Sequence, residues 1–379
     1  MHIFHVIGSL DPKTGGPPAV VMRLGSATAA LGHSVSILCR DTGPSRDLVV
    51  ESLRQVRGHE AMDLVFGDTS GEPDATLARA DFLHLHGVWE PILLRCAKTA
   101  RRLGVPYTVT PHGMLDPWAL SQKRLKKRIA LALAFRGMLN RASFLHMLNA
   151  DERRLAEPVG IRAPMRVIPN GIFLEELEPL PSPGTFRTAH PELGDRPFVL
   201  FLSRLHHKKG PDVLAAAFSD LARRRDDVTL VVIGPDEGSR PMLEAAIRKQ
   251  GVADRVFLLG PVYGPDKYAA VVDAAVFCLP SRQEGFSIAI TEALACRCPV
   301  VVTEACHFPE VAEVDAGRVV PLDAVKVADG LAEVLADPES AASMGRRGRA
   351  MVAERFTWPK VAEAMLEAYG ACSEGDRKM

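Results

Sequence analysis

The chain has 379 residues, of which 47% are apolar and 24% are charged, as in globular proteins long enough to form two domains. Lysine plus arginine and aspartate plus glutamate both number 46, so no overall field draws the protein to nucleic acid, and any basic surface must be local. No apolar run approaches the length of a membrane span, and seven cysteines scattered through apolar segments indicate reduced thiols in the cytoplasm.

The first apolar run, Ile3–Ile7, is a predicted strand and not a secretion signal, because no basic segment precedes it. Two glycines, Gly15 and Gly16, then open a predicted helix whose first positions are prolines. Their spacing differs from the dinucleotide-binding fingerprint. They predict either a turn whose backbone approaches a ligand or an ordinary tight turn.

Further strands alternate with helices in the first half of the chain. The predicted strands are Val35–Cys39, Asp81–His86, Tyr107–Thr110 and Arg166–Ile168. This alternation indicates a doubly wound parallel sheet, in which ligands bind at the carboxyl ends of the strands. His86 and His112 both stand at such ends. A structural role and a functional role are both open for His86, whereas the loop position of His112, between proline and glycine, favours function.

The segment Ser121–Phe144 carries seven basic residues and no acidic residue. Its apolar residues fall near one helical face, which comprises Leu125, Ile129, Ala132, Phe135 and Leu139. The pattern predicts either a core-facing stripe below a solvated basic face or a surface for an anionic membrane or anionic acceptor.

A proline-rich stretch, 179–197, is interpreted as a linker between two domains. The strand–helix alternation then starts again. The predicted strands of the second half are Phe198–Leu202, Val228–Ile233, Val256–Leu259, Ala275–Leu279 and Pro299–Thr303. The predicted domains are therefore 1–178 and 198–355, and the amphipathic helix in 356–379 is expected to pack back across both domains.

The segment Pro280–Glu292 joins a predicted strand to a predicted helix. Glu284 lies on the turn, Ser287 is the expected helix N-cap, and Glu292 lies inside the helix. Eight residues separate the two carboxylates, which corresponds to at most ~12 Å and suits opposite sides of a diphosphate. The unpaired N–H groups of a helix N-terminus suit phosphate. On its own, the pair of glutamates is equally consistent with two unrelated surface acids.

Arg204 and Lys209 lie on the loop that follows another predicted strand. In this topology they are expected beside the Glu284 turn, where both cations could converge on one anion. The alternative is a pair of solvated surface charges.

These segments resemble the motifs of retaining glycosyltransferases of glycosyltransferase family 4, which have the GT-B fold. The matching segments are SRLHHKKG, PSRQEGFSIAITEALA, IPNGI, the Gly15–Gly16 loop and the PHG sequence around His112. The resemblance implies an α/β protein with two doubly wound Rossmann-like domains facing a cleft. The second domain would bind a nucleotide-sugar donor and the first would bind the acceptor. Ser203 and Arg297 depart from the family, which usually has glycine at both positions, so the backbone geometry there is less certain.

The resemblance also implies roles for individual residues. His112 and Glu284 would be catalytic, His112 beside the reacting sugar and Glu284 on its hydroxyls. Arg204 and Lys209 would hold the diphosphate, and Glu292 would hold the ribose. The other implied donor-binding residues are Gly15, Gly16, Ser203, Gly285, Phe286 and Ser287.

The predicted donor region contains no Asp-x-Asp metal motif, so cations and helix N–H groups would meet the charge of the leaving diphosphate without a metal or other cofactor. We therefore expect a retaining, metal-independent hexosyltransferase that uses a nucleotide-diphosphate sugar. Its acceptor would be a glycan or a lipid-linked sugar in bacterial surface polysaccharide synthesis. The expected location is the cytoplasm or the inner face of the cytoplasmic membrane.

Three alternatives remain open. A nucleotide-sugar epimerase or a glycan phosphorylase has the same kind of scaffold; the first would turn over donor without acceptor, and the second would need phosphate and a cofactor. A non-catalytic sugar-nucleotide-binding protein would bind donor without releasing nucleotide. A metal site would involve Cys296, Cys298, Cys306 and His307, although their spacing is not a standard zinc pattern.

Overall fold

The computed structural model describes residues 1–11, 14–40, 46–67 and 74–375. The chain forms two compact units. The first unit comprises Met1–Gly171 and Trp358–Met379, and the second comprises Ile172–Thr357. Each unit has a sheet of parallel strands connected by helices. The predicted α/β class with two Rossmann-like domains is therefore confirmed.

The first sheet is built from strands rich in apolar residues, as expected for parallel strands covered on both faces. In the described residues its strands are β1 (His2–Ile7), β2 (Ser34–Arg40), β3 (Met62–Gly67), β4 (Phe82–His86), β5 (Tyr107–Thr110), β6 (Phe144–Met147) and β7 (Met165–Val167). Their order is β3–β2–β1–β4–β5–β6–β7. The strand order reverses at β1, which pairs with both β2 and β4, so a switch point lies between β1 and β4.

Helices connect these strands. They are α1 (Pro17–Ala30), α2 (Arg46–Arg54), α3 (Asp74–Leu77), α4 (Pro91–Leu103), α5 (Pro117–Ser121), α6 (Arg124–Ala130), α7 (Arg136–Asn140) and α8 (Ala150–Ala156). Helix α1 has proline at its first position, where the missing N–H costs no hydrogen bond, as predicted. Its apolar side, which includes Val21 and Leu24, is buried.

The second sheet repeats the order of the first six strands of the first sheet and has no counterpart of β7 among the described residues. Its strands are β8 (Phe198–Leu202), β9 (Thr229–Ile233), β10 (Val256–Gly260), β11 (Val276–Leu279), β12 (Val300–Thr303) and β13 (Gly317–Val320). Their order is β10–β9–β8–β11–β12–β13. The switch point lies between β8 and β11.

The second unit contains the helices α9 (Thr185–Ala189), α10 (Pro211–Arg224), α11 (Arg240–Gln250), α12 (Pro265–Asp273), α13 (Ile288–Ala295), α14 (Glu310–Glu313), α15 (Ala324–Ala336) and α16 (Pro338–Arg355). The last helix, α17 (Trp358–Gly375), belongs to the first unit and packs on α1. Its predicted apolar face is buried at Trp358, Val361 and Tyr369.

Three strands were missed in the sequence analysis. Strand β3 lies at the edge of its sheet with half-buried side chains, so its apolar signal is weak. Strand β6 is four residues long and includes a histidine, and β13 begins with glycine and arginine. Each is too short or too polar to stand out by periodicity.

The segment 179–197 is not a free linker, which corrects the predicted domain limits. It contains α9, and Phe186 and Leu193 are buried in the core of the second unit. The backbone N–H groups of Gly184 and Arg187 donate to the carboxylate of Asp273 at 2.6 and 3.0 Å. The boundary therefore falls after residue 171 and not after residue 178. The proline-rich segment is therefore part of the second unit, held in place by its buried apolar side chains.

The basic segment Ser121–Phe144 is also different from the single amphipathic helix expected. Leu125 and Ile129 are 72% and 51% exposed, whereas Phe135 and Leu139 are buried. A π-helix, Leu131–Phe135, lies between α6 and α7. Its wider turn changes which residues face the core, so the apolar row splits into an exposed half and a buried half.

Within the described residues, no helix combines the length and the apolar character that crossing a bilayer requires.

Candidate active site

Two loops leave neighbouring strands at the switch point of the second sheet, one after β8 and one after β11. The N–H of Arg282 in the second loop donates to the carbonyl of Lys208 in the first at 2.7 Å. Gly210 has φ +69°, and a Cβ there would lie 2.0 Å from the carbonyl oxygen of Pro280. Only glycine therefore lets the two loops approach this closely.

Ser203 opens the first of these loops. Its N–H donates to the carbonyl of Ile233 at 3.0 Å, which extends the contact between β8 and β9. A Cβ at Gly234 would lie 1.9 Å from the carbonyl oxygen of Ser203. Gly234 therefore makes room for the backbone carbonyl of residue 203, whichever side chain that residue carries.

The centre of this arrangement is an ion pair between Lys209 and Glu284. The Nζ atom of Lys209 lies 2.7 and 2.8 Å from the two carboxylate oxygens, and both side chains are largely buried. Ser281 Oγ donates to Oε1 of Glu284 at 2.5 Å, and the N–H of Glu284 donates to the carbonyl of Ala305 at 3.0 Å. The two predicted residues thus lie together, each partly neutralising the other.

Arg204 and Lys209 each bind a different carboxylate. The Nη1 atom of Arg204 lies 2.7 and 2.8 Å from the carboxylate oxygens of Glu237, in a partly exposed pair. Sequence reasoning did not select Glu237, because an acid in a loop 33 residues away has no local signal. The predicted convergence of the two cations on one anion stays a prediction.

Glu292 is held by a residue that the sequence analysis missed. Lys267, on α12, places its Nζ atom 2.8 Å from Oε1 of Glu292. Burial lowers the pKa of Lys267, but the neighbouring Glu292 carboxylate and Tyr268 outweigh burial, so its pKa is raised. Lys267 is therefore a fixed positive charge that orients the Glu292 carboxylate.

Helix α13 begins beside Glu284, with Ser287 as its N-cap, as predicted. The Ser287 side chain makes no capping hydrogen bond, so it leaves the first N–H groups of the helix to other acceptors. Phe286 packs on Phe308 and Phe356, with ring centroids 5.5 and 5.9 Å away. These contacts anchor the turn that Gly285 and Ser287 complete.

The end of α13 explains the second departure from the family pattern. Arg297 has φ +63°, the left-handed conformation that glycine adopts without steric cost. A non-glycine residue there costs about 1 kcal/mol. Arginine thus adopts here a backbone conformation that favours glycine.

In the first unit, the Gly15–Gly16 loop follows β1 and leads into α1. Gly15 has φ +113°, which favours glycine, and a Cβ on Gly16 would meet nothing within 4 Å. Gly16 is the N-cap of α1. The loop is therefore a turn in a conformation that favours glycine, with open space beside a helix N-terminus, which is consistent with close approach of a ligand.

His112, the other predicted catalytic residue, begins a chain of hydrogen-bonded imidazoles. Its Nε2 atom lies 3.1 Å from Nδ1 of His86, and Nε2 of His86 lies 3.0 Å from Nδ1 of His5. His112 itself has φ +52° and is half-buried. His86 therefore has a direct structural link to the predicted catalytic residue.

A second series of hydrogen-bonded side chains crosses the same sheet. The direction of its hydrogen bonds follows from the last acceptor, the carbonyl of Ile168. The carbonyl of Ile168 can only accept, so Nε2 of His146 donates to it at 2.7 Å. A neutral His146 then accepts at Nδ1 from the Thr110 hydroxyl at 2.8 Å, and Thr110 accepts from Nε2 of His84 at 2.5 Å. His84 in turn accepts from the Tyr369 hydroxyl at 2.7 Å.

Burial lowers the pKa values of all five of these histidines. Desolvation is the main cause for each ring. The His146 imidazole adds to it for His5 and His112, whose pKa falls to about 3, whereas the hydrogen bond to Ile168 opposes it for His146, whose pKa falls to about 4. The pKa values of His84 and His86 are also well below the usual value. The rings are therefore neutral at physiological pH.

Glu152 supports the His112 loop from the other side. Its carboxylate accepts from the N–H groups of Gly113 at 2.5 Å and Leu148 at 2.6 Å. Burial raises the pKa of Glu152 to about 7, although these two hydrogen bonds oppose the shift. Asn149, the N-cap of α8, accepts from the N–H of Glu152 at 2.7 Å. Nothing local in the sequence indicated that this residue would contact the loop that follows β5.

The three cysteines of the metal alternative are buried in the core of the second unit. Burial raises the pKa of Cys296 and Cys306 to about 12 and also raises that of Cys298, so all three remain protonated thiols. Cys306 donates to the carbonyl of Leu279 at 3.3 Å. These thiols therefore behave as core residues.

Comparisons with known proteins agree with this architecture. Residues 15–171 match a family model described as "Glycosyl transferase 4-like domain", and residues 184–351 match one described as "Glycosyl transferases group 1". These two matches cover the Gly15–Gly16 loop and His112 in the first unit, and the loops around Lys209 and Glu284 in the second.

Curated relatives come from mycobacteria among other organisms. A GDP-mannose-dependent alpha-(1-6)-phosphatidylinositol monomannoside mannosyltransferase of Mycolicibacterium smegmatis is 34% identical over 275 residues, 68% of this chain and 69% of that protein. A protein of the same description from Mycobacterium tuberculosis is 33% identical over 227 residues. That match covers 56% of this chain and only 58% of the relative.

Among solved structures, Anabaena Alr3699/HepE in complex with UDP superposes with a TM-score of 0.81 over 98% of this chain and 100% of that one, at 20% identity. At this identity the likeness shows the fold alone. Together with the relatives, it establishes that the chain belongs to the glycosyltransferases of family 4, which have the GT-B fold.

The buried neutral histidines predict that the first unit is sensitive to acid. A histidine whose pKa is lower in the folded than in the unfolded state favours folding at pH values above the unfolded pKa, near 6.5. This contribution to stability is lost as the pH falls toward the folded pKa of 3–4. At pH 5, keeping one such ring neutral lowers the free energy of unfolding by roughly 2 kcal/mol compared with its value above pH 6.5. Pulsed hydrogen exchange should show that peptides from β1 and β4 lose protection between pH 6.5 and 5, before those from β8 and β11.

A matched pair of variants tests the cause. In His146→Gln, the amide can still donate to Ile168 and accept from Thr110 but does not titrate, so the loss of protection should shift to lower pH. His59→Gln, at a partly exposed site outside the chains, should behave like the wild type. Equal protection of β1 at pH 5 and pH 8 would contradict this account.

Proposed function

We propose that this protein is a retaining, metal-independent glycosyltransferase that moves a hexose from a nucleotide-diphosphate sugar to a glycan or lipid-linked acceptor. The buried Lys209–Glu284 pair at the switch point of the second sheet is the observation that carries the proposal. A diphosphate needs a cation and a sugar needs a hydrogen-bond acceptor, and these two side chains supply both at adjacent positions.

Donor binding would exchange one set of charge contacts for another. Before the donor binds, Lys209 contacts Glu284 and Arg204 contacts Glu237, so neither cation is left without a partner. The diphosphate would share both cations, and Glu284 would turn part of its hydrogen-bonding capacity to sugar hydroxyls. The N–H groups at the start of α13 would add a fixed positive potential. Glu292, already oriented by Lys267, would accept from the ribose hydroxyls.

The chemical step balances without a protein-bound metal. The bond from the sugar C1 to the diphosphate oxygen breaks while a bond from C1 to the acceptor oxygen forms on the same face, and the acceptor proton passes to a diphosphate oxygen. Arg204, Lys209 and the helix N–H groups would stabilise the charge that develops on the diphosphate. The neutral state of His112 fits this scheme, because the scheme does not need an imidazolium.

Relatives described as GDP-mannose-dependent and a structural neighbour with bound UDP support a nucleotide-sugar donor but differ in the nucleotide. A thermal-shift panel with GDP-mannose, UDP-glucose and the corresponding diphosphates would identify the donor, because a ligand that binds only the folded state raises its apparent stability. Consumption of donor without acceptor, with a changed sugar, would instead indicate an epimerase.

Replacing Glu284 by Gln or Lys209 by Ala should remove most transfer activity. Loss of one charged contact in the transition state costs about 2–4 kcal/mol, which is roughly 30-fold to 1000-fold in kcat/KM. Initial rates with saturating acceptor measure the effect, and circular dichroism checks the fold. Lys249→Ala, an exposed charge on α11, is the control. Near-normal rates in either site variant would rule out this assignment.

The anomeric configuration and the metal requirement form a separate prediction. Activity should persist after dialysis against a chelator, because protein cations meet the diphosphate charge, and NMR of the product should show the anomeric configuration of the donor. Loss of activity that manganese restores would refute metal independence. An inverted linkage in the product would refute retention of configuration.

The acceptor side of the proposal rests on the basic segment of the first unit. Its exposed apolar side chains are Leu125, Ile129 and Leu133, which are 72%, 51% and 82% exposed. They alternate with exposed cations, which are Lys123, Arg124, Lys126 and Arg128. Side chains this exposed bury little apolar surface within the described part of the chain, whereas insertion into the boundary of a bilayer would bury them.

A cavity of about 360 Å³ opens beside this surface. Its lining combines cations with apolar side chains and consists of Pro117, Leu120, Ser121, Arg124, Lys127, Arg128 and Leu131. Burial, followed by nearby Lys123, lowers the pKa of Lys127, and its Nζ atom donates to the carbonyl of Ala119 at 2.6 Å. This mixture suits the phosphate and the first carbons of a lipid-linked acceptor. We therefore propose peripheral docking on an anionic membrane, in keeping with surface polysaccharide synthesis on the inner face of the cytoplasmic membrane.

Liposome co-sedimentation tests the docking surface. Binding should increase with anionic lipid and decrease with salt, since each cation near such a surface contributes about 1 kcal/mol. Changing Lys123, Arg124, Lys126 and Arg128 to Gln should weaken the salt dependence strongly, and changing Leu125, Ile129 and Leu133 to Ser should weaken binding at every salt concentration. A control removes the same charge from the second unit, at Arg223, Arg248, Lys249 and Lys326. Identical behaviour of all variants would contradict the proposal.

A further inference from the structure

The imidazoles of His5, His86 and His112 form a chain at the switch point of the first sheet. His5 lies in β1, His86 ends β4 and His112 follows β5, so three strands hold the rings. The distances between the bonded nitrogens are 3.0 and 3.1 Å. At the inner end, Nε2 of His5 is buried and has no hydrogen-bond partner among the described residues.

Three neutral rings can be hydrogen-bonded in this order in only two ways, because each carries a single N–H. In the first, His5 donates to His86, His86 donates to His112, and His112 carries its proton on Nδ1. In the second, every bond is reversed, so His112 has a bare Nδ1 and His5 has an N–H at its buried Nε2.

The unpartnered end of the chain decides between the two arrangements. The first leaves a buried acceptor on His5 without a donor, and the second leaves a buried donor without an acceptor. Buried N–H groups without a partner are rarer in folded proteins than buried acceptors without one. Reversal would also require a proton at His5 Nε2, and no described group hydrogen-bonds to that atom.

Metal binding by this cluster is the competing explanation, since nitrogens of His5, His84 and His86 lie within 4.8 Å of one another. His84 already uses both ring nitrogens, on Tyr369 and Thr110. Its ring also stacks on that of His86, with centroids 4.0 Å apart. Lone pairs in the planes of stacked rings do not converge on one ion, so the hydrogen-bonded chain accounts better for the arrangement.

We propose that His5 and His86 are positioning residues that fix His112 as a neutral hydrogen-bond donor, with its Nδ1–H available to an oxygen atom of the nucleotide sugar. The role toward the sugar rests on the proposed function. His112 then acts by donating a hydrogen bond and not as a general base, which agrees with transfer of the acceptor proton to the diphosphate. The specificity of the contact would depend on a residue, His5, that is two hydrogen bonds away.

NMR of the full-length protein with ¹⁵N-labelled histidine tests the proposal directly, because the two neutral tautomers have distinct nitrogen shifts and His112→Asn identifies the His112 signals. The wild type should show His112 protonated on Nδ1. His5→Phe and His86→Phe should produce a mixture of tautomers at His112. His86→Gln should restore the Nδ1–H form, because its amide can accept from His5 and donate to His112. His33→Gln, outside the chain, should leave the signals unchanged.

Kinetics supply a second measurement. His86→Phe should lower kcat about tenfold while changing the KM of the donor little, and His86→Gln should recover most of the loss. Protonation of His112 on Nε2 in the wild type, or an unchanged tautomer in both Phe variants, would overturn the proposal. If the protein transfers no sugar, the proposed function fails, yet the NMR result still decides whether His5 and His86 fix the tautomer.

Discussion

The contact between Lys209 and Glu284 depends on a close approach of two loops at Gly210, where any other residue would clash. Gly210 brings the loop after β8 within reach of Pro280, and this approach places an amine and a carboxylate from different loops at 2.7 Å. Isolated charges would be costly to bury there, but as a pair they nearly cancel. The same pair links the two loops at the switch point, and α13, which carries Glu292, begins directly after the second of them.

The two units share the order of six strands but use different chemistry at their switch points. In the second unit the side chains are charged and paired, whereas in the first they are imidazoles kept neutral by burial. Ion pairs between loops can exchange partners when an anion arrives. A chain of neutral rings held by neighbouring strands cannot rearrange without moving protons. On the proposed function, the second site would take up the charge of the diphosphate, and the first would keep one hydrogen-bonding pattern.

Sequence patterns were sufficient for the central strands and for the residues that follow them, because buried parallel strands are continuous apolar runs and their ends are marked by glycine and proline. They were insufficient for partners distant in sequence, such as Lys267 and Glu237. The imidazole chain left a weak signal: His84 and His86 alternate on one face of a strand that is otherwise apolar. The exposed row at Leu125 could not be foreseen, since a π-helix has no sequence signature comparable to proline or glycine.

The first unit is completed by α17, whose Tyr369 donates to His84, although the second unit lies between them in the chain. The chain enters and leaves the second unit at adjacent positions, where the N–H of Ile172 donates to the carbonyl of Phe356 at 2.9 Å. During synthesis the N-terminal part emerges first. The whole inserted unit is therefore synthesised before the helix that closes the histidine network. Until α17 emerges, α1 lacks the helix that packs on it, and His84 lacks its Tyr369 donor.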